Sequence, residues 1–150
     1  MRKKYKMKPL KRKSRSELAK CKDRIQSLLR QICILRDGGC VLRNYPEAGQ
    51  CGGYRDDGEL ILQAEHLITR ERNISYGDMR NIVCLCKYHH GYWKPQHSRL
   101  YWDLIRKVIG EKRWEWLKRV EADKKSYTFG IWEWNKIEIW LKKELSTYET

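Results

Sequence analysis

The sequence predicts an α+β fold: a small, loop-rich core with two short strands, set between a heptad-patterned N-terminal helix and a helical C-terminal region. Three observations carry this. Apolar residues recur at alternating spacings of three and four from Leu18 to Leu35. Residues 40–58 are crowded with turn formers and hold little apolar material. Beyond residue 98 the apolar residues fall on three helical stripes. The implied organisation is a basic arm over 1–15, a helix over 16–37, a core over 38–98 and a helical region over 99–150.

Residues 1–15 carry nine Lys/Arg and no acid. Such a run is too charged to fold alone and is suited to phosphate contact through Arg2, Lys3, Lys4, Lys11, Arg12 and Lys13. Ser14-Arg15-Ser16-Glu17 fits a capping box that opens the first helix. Leu18, Cys21, Ile25, Leu28, Ile32 and Leu35 then make a seam of nearly three heptads. This seam fits either packing within the chain's own domain or a homodimer through residues 18–35. Cys21 belongs to it as a small apolar residue. Gly38-Gly39 end the helix.

From residue 40 to 58, Asn44, Pro46, Gly49, Gly52, Gly53 and Asp56-Asp57-Gly58 break any period. Residues 59–64 read as a strand that leads to His66, residues 70–80 as polar and irregular, and residues 82–85 as a second strand. A helix starts near Cys86 or Lys87, with a break expected near Pro95. Leu100, Leu104, Ile105 and Val108 give a helical stripe stopped by Gly110. Trp114, Leu117 and Val120 give a second. Trp134, Ile137, Leu141 and Leu145 give a third, after a turn at 128–130.

Lys and Arg outnumber Asp and Glu by 33 to 19, a net charge of +14. An excess this large favours a polyanionic partner, DNA in the first instance. No apolar run approaches the ~20 residues of a membrane-spanning helix, and the basic N-terminus lacks the apolar run of a signal peptide. The expectation is a soluble, cytoplasmic protein with no membrane partner. Its six cysteines then read as thiolate ligands before disulfides. Seven Trp and nine Tyr accompany a single Phe, and most fall on the C-terminal stripes as packing residues.

Cys86 and His89 are three apart, which at the start of a helix puts both on one face. Cys40 and Cys51, from the turn-rich stretch, supply a second pair. Together they predict a structural Zn2+ on Cys40, Cys51, Cys86 and His89, although the first pair is wider than the usual two to four residues. The loop between them, with little to fold on, needs such a staple. Cys84, on the other side of its strand from Leu85, is a core residue or a rival ligand. Cys33 has no evident partner.

A second constellation surrounds the zinc residues. Phosphodiester hydrolysis needs a base to activate water and a cation to stabilise the leaving oxygen. His66 is the candidate base, because imidazole is available in neutral form near pH 7. His90, on another side of the helix from His89, is the candidate ligand of a catalytic divalent ion, Mg2+ or Mn2+, with Glu65 as a possible co-ligand. Asn81 fits either a backbone hydrogen bond across the loop or the orientation of His66. His97 fits a second metal ligand or a phosphate contact. Arg70, Arg72, Lys87, Lys94 and Arg99 fit phosphate contacts or solvated charges.

His66, Asn81 and His90 in this order, around Cys86-x2-His89, resemble the HNH, or ββα-metal, nuclease motif. His89 stands where that motif usually has a second cysteine, and Glu65 where it often has aspartate. The wider run His66-Leu67-Ile68-Thr69-Arg70, then Asn81 and its cysteines, then residues 101–110 with Leu104 and Ile105, is similar to the phage NinG/Rap recombination nucleases. The resemblance covers about residues 40–120. It implies a zinc-stapled ββα-metal core with His66 on a hairpin, His90 on the following helix and one divalent ion between them. It also implies endonuclease action on branched DNA such as Holliday junctions, in a bacterial host cell if the chain is phage-encoded. The competing expectations are a non-catalytic zinc-stapled DNA-binding module and, beyond it, an RNA-directed protein.

Overall fold

The computed structural model describes residues 15–149. Arg2, Lys3, Lys4, Lys11, Arg12 and Lys13 of the basic arm lie outside these residues. Helix α1 spans Glu17–Asp37. Its N-cap is Ser16, whose side chain accepts from the Ala19 N–H, so the cap sits two residues beyond the one the Ser14 capping box implied. Gly38 closes the helix in the left-handed region at φ 69°, with its N–H on the Ile34 carbonyl.

Two strands follow, β1 over Leu62–His66 and β2 over Ile82–Cys86. They pair antiparallel, with Leu62 opposite Cys86 and His66 opposite Ile82. β1 begins later than the predicted 59–64. Residues 53–61 instead close a tight loop of their own, with Arg55 N–H on Glu59 O and Ile61 N–H on Gly53 O. The stretch between the strands holds a single-turn helix α2, Asn73–Tyr76, and a 3-10 turn at Met79–Asn81.

The chain leaves β2 through a π-turn over His89–Trp93 that runs into the short α3, Lys94–Gln96. The helical path therefore passes through Pro95 and breaks at His97, where ψ is 41°. Helices α4 (Ser98–Ile109) and α5 (Glu111–Ala122) meet at Gly110, whose φ of 83° suits only glycine at low cost. Helix α6 spans Ile131–Tyr148.

All five β2 residues are buried, as for a strand covered on both faces. Alternation along the strand splits the interior into two layers. Ala64, Ile82 and Cys84 face α1 and α6, where Ile25, Leu29, Ile32, Trp134 and Leu141 pack. Val83 and Leu85 face the other side, with Tyr101, Leu104, Ile105 and Leu117 of α4 and α5, and Cys86, where the strand ends and its alternation with it, packs in that layer too. Burying each Ile or Leu fully contributes about 1.5–3 kcal/mol, so these layers position everything else.

The heptad seam is filled from within the chain. Cys21, Ile25, Leu28 and Ile32 are buried in the layer shared with α6, while Leu35 is 49% exposed. Of the two readings of this seam, the structure shows packing within the chain's own domain, and a homodimer through residues 18–35 would have to displace α6. Arg24 ties the two helices together, with Nε 2.8 Å from Glu138 Oε1.

The outer edge of β2 is sealed. Asp37 Oδ2 accepts from Cys84 N–H at 2.9 Å, Val41 N–H donates to Cys84 O at 2.9 Å, and the Arg36 and Arg113 guanidinium groups both donate to Ile82 O. Burial first, and the nearby Arg36 charge second, bring the Arg113 guanidinium down to about 10.

Candidate metal centre and adjoining acid–histidine cluster

Cys40 follows the glycine pair after α1, Cys51 lies in the loop beyond the 3-10 turn Pro46–Ala48, Cys86 ends β2 and His89 opens the π-turn. Backbone bonds hold the loop against the hairpin: Lys87 N–H on Ile61 O and Tyr88 N–H on Gly52 O. The approach needs glycine at 53, where φ is +88° and a Cβ would come within 2.6 Å of Lys87 Cβ.

The four predicted zinc residues converge. Their ligand atoms lie within 4.8 Å of one another, and the Sγ atoms of Cys40, Cys51 and Cys86 stand 3.4, 3.8 and 3.1 Å from His89 Nδ1. A tetrahedron with Zn–S near 2.3 Å and Zn–N near 2.0 Å has S···N edges of about 3.5 Å, so the donor set fits. His89 Nε2–H donates to Ala48 O at 2.8 Å, which fixes the tautomer and turns the Nδ1 lone pair toward the sulfurs. The bond from the Cys40 thiol and that from His89 outweigh the opposing effect of burial and pull Cys86 down to about 3. Cys40 is pushed up by its bond to Cys86 and by burial, and Cys51 is pushed up by burial first. Protons thus hold the sulfurs together where a cation would replace them. These four residues could hold a structural zinc ion. Cys84 faces the other layer, where its bond to Cys33 and burial raise its thiol, and both are core residues.

The second constellation is rearranged. Glu65 on β1 is 3% exposed, and its carboxylate meets His90 Nδ1 through Oε2 and Lys94 Nζ through Oε1. Burial alone would raise the Glu65 carboxyl, but His90 and Lys94 outweigh it and hold it below its ordinary value. Lys94 is therefore no open phosphate contact. It is paired with Glu65 and lies 5.0 Å from the Tyr101 ring centre. Its place four residues after His90 was the signal that could have grouped them.

His66, 8% exposed, packs on Tyr76 with ring centres 5.0 Å apart. Its Nε2–H donates to Tyr76 O at 2.9 Å, leaving Nδ1 as the lone-pair nitrogen. Burial pulls the imidazole below its ordinary value. Strand alternation sets His66 and Glu65 on opposite faces of β1, so the structure joins Glu65 with His90 and leaves His66 beside them at the strand end.

Asn81 is fully buried and does not touch His66. Its Oδ1 accepts from Ile68 N–H at 2.6 Å, and Nδ2 donates to Ile68 O at 3.2 Å and Ser75 O at 3.0 Å. It is a positioning residue that clamps the loop after His66, rather than a catalytic one. Arg72 donates to the carbonyls of Asp123 and Glu121, so it also holds structure in place of phosphate. His97 stacks on Trp93 at 4.9 Å with its Nδ1 on Trp93 O, and it does not join the described cluster that could hold a metal ion. Arg70, Lys87 and Arg99 are exposed, as phosphate contacts require.

Among the described residues, seven buried side-chain N or O atoms lack a hydrogen-bond partner. Five of them, on Gln26, Gln63, Glu65, His66 and His90, belong to β1 or to side chains around it. Two of these atoms, Glu65 Oε2 and His90 Nδ1, are in contact with each other as an ion pair, which leaves His66 Nδ1 as the unpaired atom of the acid–histidine cluster. A cleft of about 350 Å3 opens here between α1 and the π-turn, lined by Gln26, Ser27, Arg30, Gln63, Ala64, Arg70 and His90. Family models, curated proteins and solved structures give no match to this chain, so the site's own chemistry carries the functional argument.

Proposed function

We propose that this chain is a metal-dependent DNA endonuclease with a zinc-stapled ββα-metal core of the HNH type. The observation that supports it is the buried Glu65 carboxylate in contact with His90 Nδ1, with the unpaired Nδ1 of His66 on the next residue of the strand. Leaving a buried polar atom unpaired costs about 1–3 kcal/mol, so His66 Nδ1 calls for a water or ligand. A carboxylate oxygen beside an imidazole nitrogen is a donor pair that can hold a divalent ion, and the carboxylate favours Mg2+ or Mn2+. An ion there would stabilise charge on the leaving oxygen of a phosphodiester.

The protein groups divide the remaining work. His66 presents its free Nδ1 to a water and takes its proton, with Tyr76 O holding the opposite nitrogen. Asn81 keeps the following loop rigid. Arg70, on the cleft wall, meets the phosphate, and Lys94 neutralises Glu65 until the substrate arrives. The zinc residues anchor His89 and so fix the turn from which His90 projects. The net charge of +14 supplies the long-range attraction for DNA.

The test is cleavage of linear duplex and four-way-junction DNA with Mg2+ or Mn2+, beside His66→Ala. Cleavage lost in the variant by about 100-fold or more is expected for a general base. Binding without cleavage under either ion would leave a zinc-stapled DNA-binding module as the function. Faster cutting of the junction supports selection for branched DNA.

A further inference from the structure

Next to the proposed catalytic groups lies a second, larger cavity that those groups do not use. It measures about 590 Å3, within the roughly 300–1,000 Å3 of small-molecule sites. Its floor is Leu67, Ile68 and Thr69, the loop that Asn81 clamps directly after His66. Its walls are two indoles, Trp102 from α4 and Trp114 from α5, with ring centres 6.1 Å apart. Cations stand over these rings: Lys118 Nζ is 4.7 Å from the Trp114 centre, and Lys94 Nζ is 6.0 Å from the Trp102 centre. Lys94 is also the partner of Glu65, so one ammonium spans the distance from this cavity to the acid–histidine cluster.

We infer that this cavity receives an unpaired nucleobase of the DNA strand, stacked against Trp102 or Trp114, while its phosphate lies toward Lys118 at the rim. The inference rests on the reading of the chain as a DNA-processing protein and adds how the strand is selected. Indole faces accept any base, because every base has a π-face. Lys118, loosely paired at 3.7 Å with the exposed Glu121 that also lines the cavity, supplies the charge complement for the phosphate, which a purely apolar ligand would not need. A paired base must first leave its stack to enter, at a cost of a few kcal/mol, whereas a bulged or junction base is already free. Selection for branched or flawed duplex follows from that difference.

The experiment uses full-length His66→Ala protein, so binding is read without cutting. Fluorescence anisotropy compares a perfectly paired duplex, the same duplex with one bulged nucleotide, and free dTMP as competitor. The bulged duplex should bind about tenfold tighter, and a 2-aminopurine in the bulge should be quenched on binding. In Trp102→Ala and Trp114→Ala that preference should fall to about twofold or less, with paired-duplex affinity unchanged within about twofold. Trp114→Phe, which keeps a ring, should retain most of it and guards against loss of fold, as does an unchanged melting curve. Equal binding of bulged and paired duplex overturns the inference, as does a preference that survives both alanine variants. Free dTMP that displaces the bulge at equal concentration would make this a mononucleotide site and overturn it too. Trp-dependent bulge preference in a wild-type protein that never cleaves would refute only the nuclease reading. Cleavage without bulge preference would refute only the cavity.

Discussion

Replacing Asn81 with alanine tests the claim that this residue positions rather than catalyses. Its carboxamide makes three buried bonds, one from Ile68 N–H and two to the carbonyls of Ile68 and Ser75. The substitution orphans a buried N–H, worth about 1–3 kcal/mol, and removes one bond from each of two carbonyls, about 1 kcal/mol apiece. The sum, about 3–5 kcal/mol, is large for a point change. At roughly 2–4 °C per kcal/mol, a chain of this size should lose about 10 °C in melting temperature. Urea unfolding of the zinc-loaded protein measures it directly, as a shift in midpoint at constant slope. Asn81→Asp keeps the acceptor but loses both donors and buries a charge, so it should fare no better than alanine. A loss below about 1 kcal/mol in Asn81→Ala would sink the clamp, and a normal melting curve with abolished cleavage would return Asn81 to the chemistry.

Two further outcomes are expected. Metal analysis should find about one zinc per chain, with Cys51→Ser cutting that content by more than half and lowering the melting temperature; a stable wild-type protein free of zinc would end this assignment. Glu138 is held below its ordinary 4.5, chiefly by its bond with Arg24, against the opposing effect of burial and with help from Lys142. A lowered folded value means stability present above the unfolded value of 4.5 and lost as pH falls through the folded one. Glu138→Gln should therefore flatten the acid side of the stability profile below about pH 4.5, and an unchanged acid limb would show that the α1–α6 pair contributes nothing there.

The local signals in the sequence translate well into structure. Gly38 and Gly110 end helices because the left-handed backbone they adopt excludes other residues, and the apolar stripes of α4, α5 and α6 are stripes because one side of each helix is covered. The four zinc residues are legible for a similar reason: their chemistry is so specific that spacing matters less than type. What was not legible depends on distant partners. The α1 seam has coiled-coil spacing, yet no local pattern says that α6, more than a hundred residues later, fills it. Arg72 and Lys94 look like surface charges until the carbonyls of Glu121 and Asp123, and the carboxylate of Glu65, are brought to them. The cavity of Trp102 and Trp114 was hidden because each indole reads as packing on its own helix, and only the crossing of α4 and α5 brings the two together beside the 67–69 loop.

A sheet of two strands is all edge, and exposed edges invite other chains to add strands. Here Asp37, Val41, Arg36 and Arg113 occupy the β2 backbone on its outer side, and Arg30 takes the Leu62 carbonyl of β1. The hairpin is therefore closed to growth on its β2 side even though β2 is the most apolar segment of the chain. Among the large apolar side chains left in solvent, Trp132, Ile139 and Trp140 are grouped on α6 instead. Self-association at high concentration would proceed helix to helix, reversible by dilution, and not through the template-driven strand addition that leads to fibrils.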